Sequence, residues 1–423
     1  VGSRLIEVHI SNCRLIVLLT QVLAIRIPMQ TGTVGNDNRI TPVNRLTRIA
    51  LHVGKDTPGS VPPVAEVERA KSFIKGLLAH LIIVPAWVIP PGALFTSLVV
   101  AGAPFGAKGI ASMLGLGAAL LGGPKKRIPA LSAVLLALAA ATRRKRAALA
   151  GAMAAFLAGF TTRTKPIAAQ PWLFDFVNRW SKDFYRETAL RGALTDIRPT
   201  KSFFGFHPHG CLCAGWTING TFNADFMRAA GRMAWLCDDK LRHKNPGFQL
   251  MSEAYHAEDR AIEACDAEGF KGRMSQGVNV AFIPGGFQDA VAFEYGKDVC
   301  VLRARKGFIK YCLQFGYRVH PVYTFGECET YYTFRGMKSL RMKIAQQNVP
   351  ALAFFGWPML PFLPRPESRI LTYVGPGIDF PHIEKPSNEE VDHWHQVYMD
   401  ALRTVFNNNK KEAGYPNSEL EIL

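Results

Sequence analysis

Two histidines at the end of a short aromatic run are the first candidates for chemistry in this sequence. The run Phe203-Phe204-Gly205-Phe206 is typical of a buried strand, and His207-Pro208-His209-Gly210 follows it directly. Because proline fixes its own φ and glycine permits a sharp exit, the strand is expected to end here with two imidazoles at its tip. Imidazole titrates near neutral pH, so either histidine is a candidate general base. The alternative is a turn with one packed and one solvated histidine.

A second hydrophobic run ends in a similar turn and is followed by an acid. The run 280–283 leads into Pro284-Gly285-Gly286, and Asp289 comes three residues later. Exposed amides at a double glycine can bind an anion. An aspartate at a neighbouring strand tip can orient a histidine, as the acid of a His–acid pair does. The alternative is a polar turn whose aspartate caps a helix.

A basic turn and a further acid complete the set of candidate site residues. Arg303, Arg305 and Lys306 precede a predicted helix, and cations at a helix start suit a phosphate group. Glu327 follows another predicted strand and is a second acid that could partner a histidine. A metal site built on His207 and His209 is an alternative, but the eight scattered cysteines form no structural zinc pattern, and no metal is predicted.

These residues lie in a stretch whose pattern alternates between short apolar strands and helices. The sequence therefore predicts an α/β catalytic domain over residues 201–423. A capping box that begins at Ser387 predicts the start of the last helix. The clearest strands are predicted at 202–206, 278–283, 318–325 and 369–374, and a helix at 306–315.

The sequence upstream of this domain has a different character. Residues 1–70 are predicted to be a poorly ordered tail, 71–160 a membrane-embedded hydrophobic region, and 161–200 an amphipathic connection. No charged residue occurs from Gly76 to Gly102, which is long enough to span a bilayer. Because Pro90-Pro91-Gly92 interrupts this stretch, we expect a helical hairpin dipped into one leaflet. The alternative is a pair of ordinary buried helices.

The charge balance narrows the class of partner. The 423 residues carry a formal net charge of +17, which indicates an anionic partner such as a lipid headgroup surface or a phosphate-bearing co-substrate. The sequence contains no helix-turn-helix, zinc-finger or RNA-recognition signature, so nucleic acid is not a predicted partner.

Taken in order, the motifs resemble the type-2 diacylglycerol acyltransferase family, which includes monoacylglycerol and wax-alcohol acyltransferases. The resemblance covers about residues 70–423 and depends on 204–210, 284–289, 305–310 and 325–327. It implies an α/β, mixed-sheet, acyltransferase-like catalytic domain preceded by a membrane-embedded helical hairpin. Two positions depart from the family pattern, since Asp289 stands where Glu is usual and Cys328 where Asn is usual.

The resemblance also implies a reaction, namely acyl transfer from acyl-CoA to diacylglycerol, with acyl-CoA as co-substrate and no further cofactor. His209 would be the general base, Asp289 or Glu327 would hold its imidazole, and His207 would support the turn or the acceptor. The amides of Gly210, Gly285 and Gly286 would stabilise the oxyanion, and Arg303, Arg305 and Lys306 would bind the CoA phosphates. The expected location is the endoplasmic reticulum membrane, with the catalytic domain facing the cytosol, or the lipid droplet; a homo-oligomer is an open option. The alternatives are a monoacylglycerol or wax-alcohol acceptor, and a catalytically dead lipid-binding scaffold.

Overall fold

A computed structural model describes residues 64–102, 166–346 and 352–423 of the chain. In the first helix, side chains are described for residues 68–87. The predicted N-terminal tail before residue 64 and the hydrophobic stretch 103–165 lie outside the described residues.

The described residues contain twelve strands and ten α-helices. The strands are β1 (Glu187–Gly192), β2 (Ser202–His207), β3 (Met233–Cys237), β4 (Arg260–Ala264), β5 (Asn279–Phe282), β6 (Asp298–Cys300), β7 (Arg318–Phe325), β8 (Tyr332–Thr333), β9 (Phe354–Phe355), β10 (Arg369–Val374), β11 (Ile378–Asp379) and β12 (Leu420–Ile422). The helices are α1 (Val64–Gly102), α2 (Pro171–Trp180), α3 (Ala224–Ala230), α4 (Asp239–Lys244), α5 (Pro246–Tyr255), α6 (Ala267–Met274), α7 (Gly286–Ala292), α8 (Gly307–Phe315), α9 (Lys338–Gln346) and α10 (Asn388–Asn409).

One mixed sheet organises the domain. Its strand order is β1-β10-β7-β2-β5-β3-β4, and β11 pairs with β7. The central strand β2 is parallel to both of its neighbours, β5 and β7, whereas β10 and β11 are antiparallel to β7. The prediction of an α/β domain with a mixed sheet is therefore confirmed. Because the carboxyl ends of parallel strands meet at one edge, the turns after β2, β5 and β7 are brought together there.

Strand β2 is buried along its whole length. Successive side chains of a strand point to opposite faces, so β2 contributes to two cores. Phe204 and Phe206 pack in the core that contains Trp235. Phe203 packs in the other core, with Phe308 and Tyr398. The aromatic run thus fixes the strand between two layers and holds its tip in place.

The predicted strands at 318–325 and 369–374 are confirmed, while the strand predicted at 278–283 is β5, over 279–282. Strand β2 extends one residue beyond its predicted end and includes His207. The predicted capping box is confirmed, because Ser387 accepts from the Glu390 amide and the Glu390 carboxylate accepts from the Ser387 amide.

The predicted break at Pro90-Pro91-Gly92 is wrong, because α1 continues as one helix from Val64 to Gly102. A proline removes its own hydrogen bond and can kink a helix, but it does not have to end one. By length and composition alone, Glu68–Trp87 could cross a membrane, which is weak evidence for a span.

The same part of α1 packs against the rest of the domain. Phe73 stacks on Phe184 with ring centroids 5.6 Å apart, and His80 also stacks on Phe184, with centroids 4.1 Å apart. Further along, the Trp87 ring meets the Phe248 ring edge-on, with centroids 4.7 Å apart. This segment is therefore attached to the catalytic domain along one side.

Candidate active site

The tips of three adjacent strands form the candidate site. His207 ends β2, the turn 283–289 follows β5, and Glu327 follows β7. In the sheet, His207 lies opposite Tyr323 of β7, and Gly205 lies opposite Phe282 of β5. The two predicted histidines and the two predicted acids are therefore brought to the same edge of the sheet.

Asp289 holds the backbone of the histidine turn. Its Oδ2 accepts a hydrogen bond from the His209 amide at 3.0 Å, and its Oδ1 accepts from the Val301 amide at 3.2 Å. The carboxylate is buried, with 1% of the residue exposed. Desolvation raises its pKa to about 7, although both amides and the nearby Arg305 favour the charged form. We expected this carboxylate on the imidazole ring, and the structure places it on the main chain instead.

The His209 ring is oriented by a carbonyl. Its Nδ1 lies 3.2 Å from the Gly210 carbonyl oxygen. Because a carbonyl oxygen can only accept, Nδ1 carries the proton and Nε2 keeps its lone pair. Desolvation lowers the pKa of His209 to about 4, so the ring is neutral at pH 7. Unlike its neighbour His207, His209 is only partly buried.

His207 is a buried structural partner in this turn. Its Nε2 lies 2.8 Å from the Tyr398 hydroxyl, and that hydroxyl donates to the Gly205 carbonyl at 3.3 Å. Residue 205 must be glycine for this contact, since a Cβ there would overlap the Tyr398 hydroxyl. Burial lowers the pKa of His207 to about 3. The bond therefore fastens the strand tip to α10.

Glu327 anchors the segment that follows the turn. Its Oε1 accepts from the Ala214 amide at 2.9 Å, and its Oε2 accepts from the Gly215 amide at 2.7 Å. Desolvation raises its pKa to about 7, opposed by the two amides and reinforced by the charge of Asp289. Gly210 has φ +60°, and a Cβ there would overlap the Glu327 carboxyl group. Close packing and a left-handed backbone both demand glycine at this position.

The predicted phosphate-binding residues differ in their distance from the turns. Arg305 reaches the double-glycine turn, with Nη2 3.5 Å from the Gly285 carbonyl. Arg303 donates from Nε to the Ile422 carbonyl at 2.8 Å. Lys306 pairs with Asp392 at 2.6 Å. Of the three, Arg305 is the one that the structure connects directly to the site.

The double-glycine turn is shaped for the close approach of Asp289. A Cβ on Gly285 would overlap the Asp289 side chain, and Gly286 has φ +54°. The Gly286 amide donates to the Ile283 carbonyl at 3.3 Å, which closes the turn. The amide of Gly286 is therefore engaged within the turn itself.

The possible metal ligands are not the His207–His209 pair that the sequence left open as an alternative. Within the described part of the chain, ligand atoms of His207, Asp289 and Cys300 lie within 4.8 Å of one another, and His209 is not in this group. Burial raises the pKa of the Cys300 thiol well above its ordinary value, so the thiol is protonated. Both Asp289 oxygens already accept main-chain hydrogen bonds. The Asp289 carboxylate is thus engaged by the main chain, whereas the buried Nδ1 of His207 has no hydrogen-bond partner in the described part of the chain.

Sequence reasoning missed two contacts of the histidines. The contact of Tyr398 with His207, 191 residues earlier in the chain, was not predicted. The Cys213 sulfur lies 3.4 and 3.5 Å from the two ring nitrogens of His209. The spacing of four residues is the sequence signal that could have indicated this contact, and in the structure the Cys213 amide donates to the His209 carbonyl at 3.2 Å, as in a helical turn.

The family model for diacylglycerol acyltransferase matches residues 172–423, a range that contains every residue of this site. The chain belongs to the diacylglycerol acyltransferase family. It is an acyltransferase, and the resemblance inferred from the motifs is confirmed.

Relatives in this family carry different names. Diacylglycerol O-acyltransferase 2 of Dictyostelium discoideum is 25% identical over 249 residues, which cover 56% of this chain and 73% of the relative. Human acyl-CoA wax alcohol acyltransferase 1 is 28% identical over 252 residues, or 55% of this chain and 73% of the relative. Human 2-acylglycerol O-acyltransferase 3 is 27% identical over 258 residues, or 57% and 73%. No solved structure matches the chain.

Proposed function

We propose that this chain transfers an acyl group from acyl-CoA to the free hydroxyl of diacylglycerol, with His209 as the general base. The observation that carries the proposal is the state of the His209 ring. The residue is partly buried just beyond the end of the central strand, and the Gly210 carbonyl directs the ring proton to Nδ1. Nε2 is therefore the unprotonated nitrogen that would accept the proton of a substrate hydroxyl.

The proposed reaction is a direct transfer. His209 Nε2 removes the proton of the acceptor hydroxyl while the hydroxyl oxygen attacks the thioester carbonyl. The resulting tetrahedral intermediate expels the CoA thiolate, and the protonated imidazole returns the proton to the sulfur. A well-placed general base contributes about 10²–10⁴-fold to such a rate. No covalent enzyme intermediate is needed, because the thioester is already activated.

The other predicted site residues receive supporting roles in this proposal. The main-chain amides of Gly210 and Gly285 are candidate donors to the oxyanion, and Gly286 fixes the geometry of the second turn. Arg305 would contact the CoA phosphates first, with Arg303 and Lys306 further along the same surface. Asp289 and Glu327 would position the histidine turn through its main chain rather than act on substrate.

The acceptor is the least constrained part of the proposal. The relatives include proteins named for diacylglycerol, 2-acylglycerol and wax alcohol, all at similar identity. We favour diacylglycerol because several of the relatives are named as diacylglycerol acyltransferases. The proposed location is the cytosolic face of the endoplasmic reticulum membrane or the lipid droplet, with acyl-CoA from the aqueous side and acceptor from the lipid side.

The test is to express the chain in cells that lack triacylglycerol synthesis and to profile their neutral lipids. Restored triacylglycerol supports the proposal, wax ester or diacylglycerol supports one of the other acceptors, and no new lipid supports a catalytically dead scaffold. His209→Ala should remove the product. His393→Ala, at an exposed histidine on α10, is the matched control and should leave the product unchanged. Full activity of the His209 variant would refute the proposed base.

A further inference from the structure

Helix α9 exposes apolar side chains and buries a charged one, which is the reverse of an ordinary surface helix. Its buried positions are Arg341 and Ala345, which are 9% and 2% exposed. Met337, just before the helix, and Leu340 and Ile344 within it are 66%, 52% and 36% exposed. Spacings of three and four residues place these three apolar side chains on one helix face. The helix thus presents apolar side chains outward and buries an arginine.

The buried arginine is accommodated locally. Arg341 Nε donates to the Gly336 carbonyl at 3.0 Å, and its guanidinium lies 6.0 Å from the centre of the Phe334 ring. The helix also packs against α7, the helix that carries Asp289. Its orientation is therefore fixed by specific contacts, and the outward apolar face is a stable feature of the fold.

Further exposed apolar side chains lie in the segment that leads into α9 and on strands β8 and β9, and Phe334 is linked to the helix through its contact with Arg341. Phe334 is 53% exposed, and Tyr332 and Phe355, which pair across β8 and β9, are 43% and 42% exposed. We call the combined surface the α9 patch; it consists of Tyr332, Phe334, Met337, Leu340, Ile344 and Phe355. Soluble surfaces seldom leave so many large apolar side chains together, and such patches mark contacts with a partner or a membrane.

The charges around the α9 patch indicate which kind of partner binds it. Residues 332–346 contain Arg335, Lys338, Arg341 and Lys343 and no acidic residue. Arg335, Lys338 and Lys343 are exposed, and the Lys338 ammonium pairs with Glu294 at 3.2 Å, so Arg335 and Lys343 contribute most of the positive charge beside the apolar side chains. An apolar face with basic flanks suits the boundary between anionic headgroups and acyl chains. A second copy of this chain would fit poorly, because a symmetric contact would bring the same basic residues together.

We propose that the α9 patch docks on the surface of a bilayer that contains anionic phospholipid. This contact is distinct from α1 and lies on the catalytic domain itself. Because α9 packs directly on the helix that carries Asp289, docking would hold the candidate active site next to the lipid surface. The proposal concerns where the domain binds lipid and does not depend on which alcohol is acylated.

The test uses the full chain in vesicles of phosphatidylcholine with and without phosphatidylserine. The photo-crosslinking residue p-benzoylphenylalanine replaces Leu340 or Ile344, and, as a control, the exposed Asn407 on α10. We expect phospholipid adducts at positions 340 and 344 and none at 407, with fewer adducts when phosphatidylserine is omitted. Equal labelling at all three positions, no lipid adducts at 340 and 344, or chain-to-chain adducts at these positions would overturn the proposal.

A second measurement separates docking from catalysis. The double variant Leu340→Asn/Ile344→Asn should lose activity several-fold on vesicles and keep it in detergent micelles, where docking is not required. Equal loss in both would contradict the docking role. If the chain has no acyltransferase activity at all, the proposed function fails, while the crosslinking result still decides the docking proposal.

Discussion

The Asp289 carboxylate binds the main-chain amide of His209, at 3.0 Å, and not its imidazole. The family pattern has Glu at this position, and the shorter Asp289 is sufficient for this contact. The reason is that the His209 amide lies next to the double-glycine turn. The acid therefore determines where the turn lies, and the Gly210 carbonyl determines the tautomer of the ring. Removal of the acid should displace the base without changing its chemical nature.

Asp289→Asn should weaken both the fold and the reaction. The amide oxygen can accept from one of the two amides of His209 and Val301, and the NH2 group faces the other. An unsatisfied buried donor costs about 1–3 kcal/mol, so the unfolding midpoint should fall. The activity that remains should still depend on His209. Unchanged thermal stability would contradict the arrangement described here.

Tyr398→Phe removes the hydroxyl that joins His207 to the Gly205 carbonyl. The free energy of unfolding should decrease by about 1–3 kcal/mol, because two buried polar groups lose a partner. Tyr311→Phe is the matched control, since the Tyr311 ring is stacked on Phe270 and its aromatic packing is retained. Denaturant unfolding of the two variants makes the comparison, and an equal effect of both would argue against the bond.

Gly210→Ala should be far more disruptive than an ordinary glycine substitution. The position has φ +60° and faces the Glu327 carboxyl group, so a methyl group strains the backbone and displaces the acid. We expect a loss of at least about 1–2 kcal/mol from the backbone alone. Gly272→Ala, in α6 with open space around it, should instead be neutral or stabilising by up to about 1 kcal/mol. Similar melting temperatures for both variants would contradict this reasoning.

Cys213→Ala tests whether the reaction is direct or covalent. The sulfur is close to the His209 ring, but burial raises the pKa of the thiol well above its ordinary value, so a thiolate nucleophile is disfavoured. The variant should retain activity within about tenfold of the wild type, a change of about 1.4 kcal/mol in activation free energy. Abolished turnover in a folded variant, or an acyl adduct on Cys213 detected by mass spectrometry, would favour a covalent route.

The buried acids and histidines should give opposing pH dependences of stability. The pKa of Glu327 is raised by burial to about 7, so its contribution is fully present below about pH 4.5 and is lost as pH rises through 7. The pKa values of His207 and His209 are lowered to about 3 and 4, so their contribution is present above pH 6.5 and is lost as pH falls toward those values.

The variant Glu327→Gln isolates the contribution of this acid to the pH dependence of stability. From pH 4.5 to 7, the wild type should lose stability relative to this variant, by at most about 1.4 kcal/mol per pH unit for one proton. Thermal unfolding across this pH range measures the difference. A constant difference would show that Glu327 titrates alike in the folded and unfolded chain.

The sequence predicted the strands that carry the site because each is a short apolar run that ends in proline or glycine. The runs at 318–325 and 369–374 have the bounds that their patterns indicated. The partner of His209 was not predictable in the same way. Whether a carboxylate meets a ring or a main-chain amide depends on the backbone path of both turns and on the side-chain rotamers, which residue types at a strand end do not specify.

Two other features depended on tertiary contacts. The double proline at residues 90–91 suggested a turn, yet α1 continues through it. Helix α9 contains both apolar and basic residues, and its sequence alone does not say which face is buried. Packing against α7 buries Arg341 and turns Leu340 outward, an outcome that is the reverse of the usual amphipathic pattern.

The bond between His207 and Tyr398 also has a consequence for the timing of protein synthesis. The two residues are 191 positions apart, so a ribosome has long completed the histidine turn before α10 leaves its exit tunnel. Until then, the strand tip lacks the hydroxyl that fastens it. A nascent chain should therefore remain inactive until α10, one of its last elements, has docked.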